Sequence, residues 1–287
     1  MKKVMLLGAG GQLGKQVLNI TPQTISISPY THSDLDISDE SDLARAIKNT
    51  APDLIINTAA YTQVDQAESE QAEAFAVNAE AVQSLSELAD KNIRILHLST
   101  DFVFSKQSPV PYSPESRTSP TSVYGQSKFA GEQFLVKRRP ETSIVLRTSW
   151  LYSSASRNFV TVMLELLSSR DEVRVVNDQF GSPTSVDTLA EVVWKLADSE
   201  NAKGVYHWSD RGIITWYDFA HEIQEQAFEL SLINQKIPIK PIPSCEYPTS
   251  ATRPAYSALD SSSTEKLVSM DTIPWKKQLN IVLSKLK

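Results

Sequence analysis

The sequence predicts an α/β protein: a Rossmann-type doubly wound parallel sheet with a smaller C-terminal substrate-binding portion. Three observations predict it. Short apolar runs near residues 3–7, 25–28, 53–57, 93–98 and 143–147 alternate with longer helical stretches near 12–20, 39–49, 66–90 and 124–138, a pattern that yields right-handed crossovers and helices on both faces of one sheet. A glycine-rich turn follows the first apolar run directly, and the fourth run ends in hydroxyl residues.

The first element is Val4-Met5-Leu6-Leu7, which meets Gly8-Ala-Gly10-Gly11-Gln-Leu-Gly14 and then an amphipathic stretch to about Ile20. Four of the nine glycines fall in the first fourteen residues, and Leu13 stands where the Gly-x-Gly-x-x-Gly fingerprint needs glycine, so the frame is Gly8-x-x-Gly11-x-x-Gly14. Glycine lets the backbone turn sharply and approach a pyrophosphate, which the free N–H groups of the next helix then meet. A purely structural turn would explain one or two of these glycines. The second strand, Ile25-Ser-Ile-Ser28, carries no acid before Asp34, where NAD-specific folds usually place one against the ribose 2′-hydroxyl. Asp34 and Asp36 read equally well as turn residues. Ser38 before Asp39-Glu40 reads as a helix N-cap, and Thr50-Ala-Pro52-Asp53 as a helix stop.

The fourth strand, Leu96-His-Leu-Ser99-Thr100-Asp101-Phe-Val-Phe104, delivers Ser99 and Thr100 to the carboxyl edge of the sheet, where ligands of parallel sheets lie. Either hydroxyl is placed to hydrogen-bond a substrate oxygen; a plain turn cap is the structural alternative. Downstream, Tyr124 and Lys128 sit four residues apart, on one helix face. At about 6 Å and an effective dielectric of about 20, an ammonium would lower a phenol by roughly 3 kcal/mol, or about two pKa units. That makes Tyr124 a usable proton donor. Lys137-Arg138-Arg139, just before Pro140, reads as a solvated helix end.

Beyond Trp150 the alternation weakens and proline becomes frequent (Pro238, Pro241, Pro243, Pro248, Pro254). The organisation predicted is residues 1–150 for the nucleotide-binding domain and 151–287 mainly for the substrate-binding portion, with 182–206 returning to the first. A helix around 186–197 ends at Asn201-Ala-Lys-Gly204, and Thr215 caps another in which Trp216 and Tyr217 pack a core.

Composition points to a cytoplasmic enzyme. A net charge of −6 argues against nucleic acid, no apolar run approaches the length of a membrane span, and the chain starts directly into a strand without a signal-peptide pattern. Cys245 is alone, and the four histidines, His32, His97, His207 and His221, are scattered as structural or exposed residues, so no metal site is expected. An anionic substrate on an acidic protein needs a local cation, and Arg253 suits bidentate phosphate contact.

A glycine loop, a strand-end Ser/Thr and a Tyr-x-x-x-Lys resemble the extended short-chain dehydrogenase/reductase superfamily. Asn57-Thr-Ala-Ala-Tyr-Thr62, Val77-Asn78-Ala79, Ser99-Thr-Asp101, Arg147-Thr-Ser-Trp150, Asn177-Asp-Gln-Phe-Gly-Ser-Pro-Thr184, Thr215-Trp-Tyr-Asp218 and Arg253-Pro254 look like successive blocks of the dTDP-4-dehydrorhamnose reductase family. The resemblance implies NADPH-dependent reduction of the 4-keto group of dTDP-4-dehydro-L-rhamnose to dTDP-L-rhamnose, with NADH as a second cofactor. It implies Thr100, Tyr124 and Lys128 as the catalytic set. Gly8, Gly11, Gln12 and Leu13 match the pyrophosphate loop, Asp36 and Ile37 the adenine contact, and Ala59, Ala60 and Tyr61 the loop that passes the cofactor, while Tyr124 and Lys128 also touch it. Val64, Thr100, Asp101, Phe102, Tyr124, Trp150 and Arg253 match substrate positions.

Two departures stand out. Phe102 replaces a common tyrosine and removes a hydroxyl from the sugar pocket, and Lys15-Gln16 stands where some members carry a glutamate for a metal-bridged dimer. A monomer or weak homodimer without metal is therefore expected. The rival readings are a related nucleotide-sugar reductase or epimerase, and a non-catalytic regulatory subunit of the same fold.

Overall fold

The protein is described by a computed structural model covering residues 1–105, 108 and 110–287. Its first half runs β1 (Lys2–Leu7), α1 (Gln12–Asn19), β2 (Ile25–Tyr30), α2 (Glu40–Thr50), β3 (Leu54–Asn57), α3 (Gln71–Phe75), α4 (Ala81–Leu88), β4 (Arg94–Thr100), α5 (Val123–Arg138) and β5 (Ser143–Thr148). The second half runs β6 (Leu151–Tyr152), α6 (Phe159–Ser169), β7 (Val173–Val176), β8 (Phe180–Gly181), β9 (Thr184–Ser185), α7 (Val186–Asp198), β10 (Gly204–His207), β11 (Ile214–Thr215), α8 (Trp216–Glu229), β12 (Ile239–Ile242), α9 (Ser262–Val268) and α10 (Trp275–Ser284).

Six strands form one parallel sheet in the order β2-β1-β3-β4-β5-β10. The two-residue period of β1 explains why it is apolar throughout. Val4 and Leu6 face one layer, with α1, α7 and Trp208, while Met5 and Leu7 face the other, with α2, α4 and α5. The order in which strands are added switches from one side of β1 to the other, with β2 and β3 on opposite flanks, and the crevice at such a switch point is where parallel sheets take ligands. β10 pairs with β5, and α7 packs in the same core as α1. A separate core joins Tyr152, α6, β7, α8 and α10 in the second half. Among the described residues no helix is long and apolar enough to cross a membrane.

Local chemistry departs from the sequence expectations at four places. The N-cap of α2 is Asp39, whose carboxylate accepts from the Asp42 N–H at 3.0 Å, and not Ser38, which binds Asp36 instead. The stretch 66–90 is not one helix: a 3₁₀ turn at Gln66–Glu68, α3, a π turn at Ala76–Glu80 and α4 follow one another. α7 ends at Asp198 with Ser199 as its C-cap, so Asn201–Gly204 is a link whose last residue, at φ +86°, opens β10.

Arg139 is the fourth correction, because it is buried and not part of a solvated end. Its guanidinium donates to the carbonyls of Ser86 (3.2 Å), Ala89 (2.9 Å), Asp90 (2.6 Å) and Ile93 (2.7 Å), collecting the carbonyls left over where α4 stops. Arg139→Met is therefore expected to lower stability by about 3 kcal/mol, since the packing stays while buried acceptors lose their donor. A urea-unfolding midpoint indistinguishable from wild type would refute this.

Candidate active site

The turn after β1 is fixed by backbone geometry. Gly8 lies at φ +79°, and a Cβ there would sit 2.5 Å from the backbone nitrogen of Ala59, so only glycine lets the first and third strands end side by side. The carbonyl of Tyr30, at the end of β2, accepts from the N–H groups of both Gly8 and Ala9 at 3.0 Å. Gly10 and Gly11 are exposed, and Gly11 is the N-cap of α1 with no side chain capping the helix and no acid in its first turn. The first N–H groups of α1 are thus left without a side-chain cap, while the Gly11 N–H closes the turn on the Gly8 carbonyl at 3.0 Å. Leu13 turns its side chain into the core, leaving its backbone at the helix start, and the Gln12 side chain accepts from Ser153 Oγ at 2.8 Å.

A dinucleotide pyrophosphate fits this cradle, as the uncapped start of α1 supplies N–H donors and partial positive charge, with no acid in its first turn. Ala59, whose N–H binds the Asn57 side chain at 3.0 Å, Ala60 and Tyr61 are half-buried at the end of β3. Asp36 is exposed and its carboxylate is used by Ser38, while Ile37 is core. Asn78, buried in the π turn, holds the crevice wall in place: it accepts from Tyr61 N–H (3.0 Å) and donates to the Tyr61 carbonyl and Ser127 Oγ (both 3.1 Å). Sequence reading quoted Asn78 within a family block without a role. Its burial and the helical break around it are tertiary features that no local signal marks.

α5 delivers the phenol. Ser122 caps the helix, accepting from the Gly125 N–H at 3.1 Å. Gly125 permits close approach to the turn Asp101–Val103, because a Cβ there would meet the Phe102 carbonyl at 2.4 Å. Tyr124 consequently lies beside the end of β4, near enough to the Thr100 side chain for that hydroxyl to favour the phenolate, with the Phe102 ring edge-on at 5.6 Å. Thr100 Oγ1 also accepts from the Phe102 N–H and donates to Asp101 Oδ1, both at 3.2 Å. Asp101 is buried, and its other oxygen accepts from Ser257 Oγ at 2.5 Å. Ser257 carries no sequence signal; it reaches the site by tertiary packing alone.

The expected Lys128–Tyr124 electrostatics differ from what the structure shows. Lys128 is buried and turns its Nζ back to the sheet, donating to the Leu98 carbonyl at 2.6 Å with His97 Nε2 3.4 Å away. Burial pushes the Tyr124 phenol up to about 12, the Thr100 hydrogen bond opposing and the Asp101 charge adding to the rise. Burial likewise brings Lys128 down to about 8, against the attraction of Glu132. The spacing places both residues on one helix, as predicted, but burial raises the phenol, and the ammonium is turned to the Leu98 carbonyl.

The remaining expected substrate positions are Trp150, Val64 and Arg253. Trp150 has φ +46°, a strained conformation for a bulky residue, and its ring stacks on Trp216 at 3.6 Å and 11°. Val64 is half-buried. Next to it Asp65 receives Arg253 in a fork, NH1 to Oδ1 at 3.0 Å and NH2 to Oδ2 at 2.7 Å, so Arg253 is already paired.

This arrangement places the chain among the Rossmann-type oxidoreductases of the short-chain dehydrogenase/reductase class. The family model described as RmlD substrate binding domain matches residues 1–287, and the chain belongs to that family. It is 38% identical over 281 residues to a dTDP-4-dehydrorhamnose reductase of Sinorhizobium fredii, covering 96% of this chain and 94% of that one. Among solved structures it resembles the dTDP-4-dehydrorhamnose reductase of Clostridium acetobutylicum (34% identity, 99% of each chain, TM-score 0.91). It also resembles that of Bacillus anthracis in complex with NADP (34% identity, 99% of this chain and 100% of the other, TM-score 0.92).

Asp101 offers a pH test of the site. Burial raises its carboxyl to about 6 from 3.8, with Ser257 and Thr100 opposing. The folded state therefore holds the proton more tightly, and ionising the group costs stability as pH rises from about 4 to beyond 6, with no such cost at lower pH. Asp101→Asn removes the ionisation, so its stability relative to wild type is expected to grow by up to about 3 kcal/mol between about pH 4 and pH 7. Urea unfolding at the two pH values measures it; a difference independent of pH would show that Asp101 titrates as an ordinary carboxylate.

Proposed function

We propose that this chain reduces the 4-keto group of dTDP-4-dehydro-L-rhamnose with NADPH, giving dTDP-L-rhamnose for cell-surface polysaccharide. The observation that carries the reading is the placing of Tyr124 beside Thr100 at the carboxyl end of β4, on the sheet edge that the glycine turn also borders. The relatives' printed activity supports it, as does the NADP bound by the Bacillus anthracis protein.

Gly8 and Gly11, with the N–H groups of Gln12 and Leu13, would hold the cofactor's pyrophosphate, Asp36 and Ile37 its adenine, and Ala59, Ala60 and Tyr61 its passage along the crevice. The reduced nicotinamide supplies the hydride that the carbonyl carbon receives. Tyr124 gives its phenolic proton to the 4-oxygen, which Thr100 would hold by turning its hydroxyl from Asp101, so ketone, hydride and proton balance to an alcohol. Lys128 serves the ribose hydroxyls. Val64, Phe102 and Trp150 bound the sugar, Asp101 sets Thr100, and Arg253 meets the diphosphate with the N–H groups that Asp65 leaves free. NADPH is preferred over NADH because the two acids after β2 are both spent on local turns, Asp34 on Thr31 and Asp36 on Ser38. The protein works in the cytoplasm as a monomer or weak homodimer, consistent with a lone exposed Cys245 and with Lys15-Gln16 in the first helix.

Tyr124→Phe is expected to keep NADPH affinity near wild type and to cut turnover by about 10² or more, the scale of lost general-acid catalysis; an active variant removes Tyr124 as the acid. Lys128→Ala is expected to weaken both NADPH binding and turnover, and an effect on turnover alone would remove the ribose contact. The reading as a whole is checked by NADPH consumption with enzymatically prepared dTDP-4-keto-6-deoxyhexoses, followed by product stereochemistry. Tightly held NAD with no net reduction would favour an epimerase instead.

A further inference from the structure

The backbone of Ala59 determines, through two side chains, where His97 carries its proton. A backbone N–H can only donate, and that of Ala59 lies 3.0 Å from the Asn57 amide, so the oxygen of that amide faces it. The amide's NH₂ end therefore faces His97 Nδ1, at 3.1 Å. A donor aimed at Nδ1 requires a lone pair there, which leaves Nε2 as the protonated nitrogen of the ring. His97 is buried, and burial together with the Lys128 charge holds its pKa well below the ordinary value, so the ring is neutral.

Nε2 is also the atom that faces Lys128, 3.4 Å from Nζ. An N–H in that position cannot accept from lysine. Were the ring in its other tautomer, Lys128 would find two inward acceptors, His97 Nε2 and the Leu98 carbonyl; as it is, the contact at 2.6 Å to Leu98 is its single strong inward bond among the described residues. Glu132, one turn along α5, does not compete, because both its oxygens bind Arg147 at 2.9 and 2.7 Å. The other N–H groups of Lys128 are thus not drawn into the protein.

We propose that His97, locked by Asn57 as its Nε2–H tautomer, is a positioning residue that denies Lys128 a second inward acceptor and so keeps its N–H donors for the ribose of the dinucleotide. This deepens the functional reading above and rests on it for the ligand. It predicts that reversing the hydrogen-bond direction, with no change of shape, weakens cofactor binding.

Asn57→Asp makes that reversal. The carboxylate keeps the bond from the Ala59 N–H and accepts from Nδ1–H, so Nε2 becomes an acceptor and takes an N–H from Lys128. Nitrogen-15 spectra of the histidine rings are expected to show Nε2 protonated in wild type and Nδ1 protonated in Asn57→Asp, with an NADPH Kd about tenfold higher in the variant, the size of one hydrogen bond from a charged donor. A wild-type ring protonated on Nδ1 overturns the proposal without reference to any variant. A folded Asn57→Asp protein that keeps Nε2–H, or one that reverses the tautomer with unchanged NADPH affinity, overturns it too. If Asn57→Asp fails to fold, His97→Gln, which can turn a carbonyl toward Lys128, is expected to weaken NADPH similarly, and unchanged affinity there counts against the proposal. NADPH binding is read by titration without turnover. A chain that binds NADPH but reduces no dTDP-sugar therefore sinks the proposed reaction and leaves the positioning role to be judged on its own.

Discussion

The close approach of α5 to the end of β4 is the constraint on which the site depends. Tyr124 reaches Thr100 because nothing but a glycine hydrogen separates Gly125 from the Phe102 carbonyl. The helix is pinned on its other side by a buried ion pair, Glu132 with Arg147 of β5, whose charges are almost wholly removed from water. Such a pair costs several kcal/mol in desolvation, and here excellent geometry offsets it: a two-pronged bond, a third contact to His207 Nε2 at 3.3 Å, and the Phe104 ring 5.2 Å from the guanidinium. The return is position. With α5 held to β5, the phenol cannot drift from the strand end that carries the hydroxyl.

Burial also sets the electrostatic character of the site. It raises Tyr124 to about 12 and Asp101 to about 6, and lowers Lys128 to about 8. Each shift moves its group toward the neutral form. In so dry a setting a charge brought by a bound ligand is screened far less than in water, and pre-aimed dipoles act on it strongly. Hydrogen-bond direction then matters as much as charge, which is why the orientation of one buried amide at Asn57 reaches the lysine through His97.

Links between the two cores close the crevice. Gln12 of the glycine turn accepts from Ser153 and Asn158 of the second half, and Asp65 binds Arg253 and the Ala251 N–H. Trp150, at the hinge between β5 and β6, keeps a left-handed backbone that its stack on Trp216 and its contact with Gly181 hold in place. Local strain of this kind persists where the surroundings over-determine it.

The linear chain already contained the parallel sheet, the glycine turn and the places of Thr100 at the end of β4 and of Tyr124 and Lys128 on α5, since two-residue burial in β1, the glycines at 8, 11 and 14 and the four-residue spacing are properties of neighbours in sequence. What it could not contain was any pairing across distance. Ser257 on Asp101, Asn78 on Tyr61, Asp65 on Arg253 and His97 on Lys128 join residues from 17 to 188 positions apart. The sign of the phenol's shift belongs with these, because spacing told only that a cation was near, whereas desolvation depends on everything that packs around the hydroxyl. Helical breaks at 66–90 and the inward turn of Arg139 follow the same rule: propensity is local, but the buried carbonyls and close backbones that override it are assembled only when the whole chain has folded.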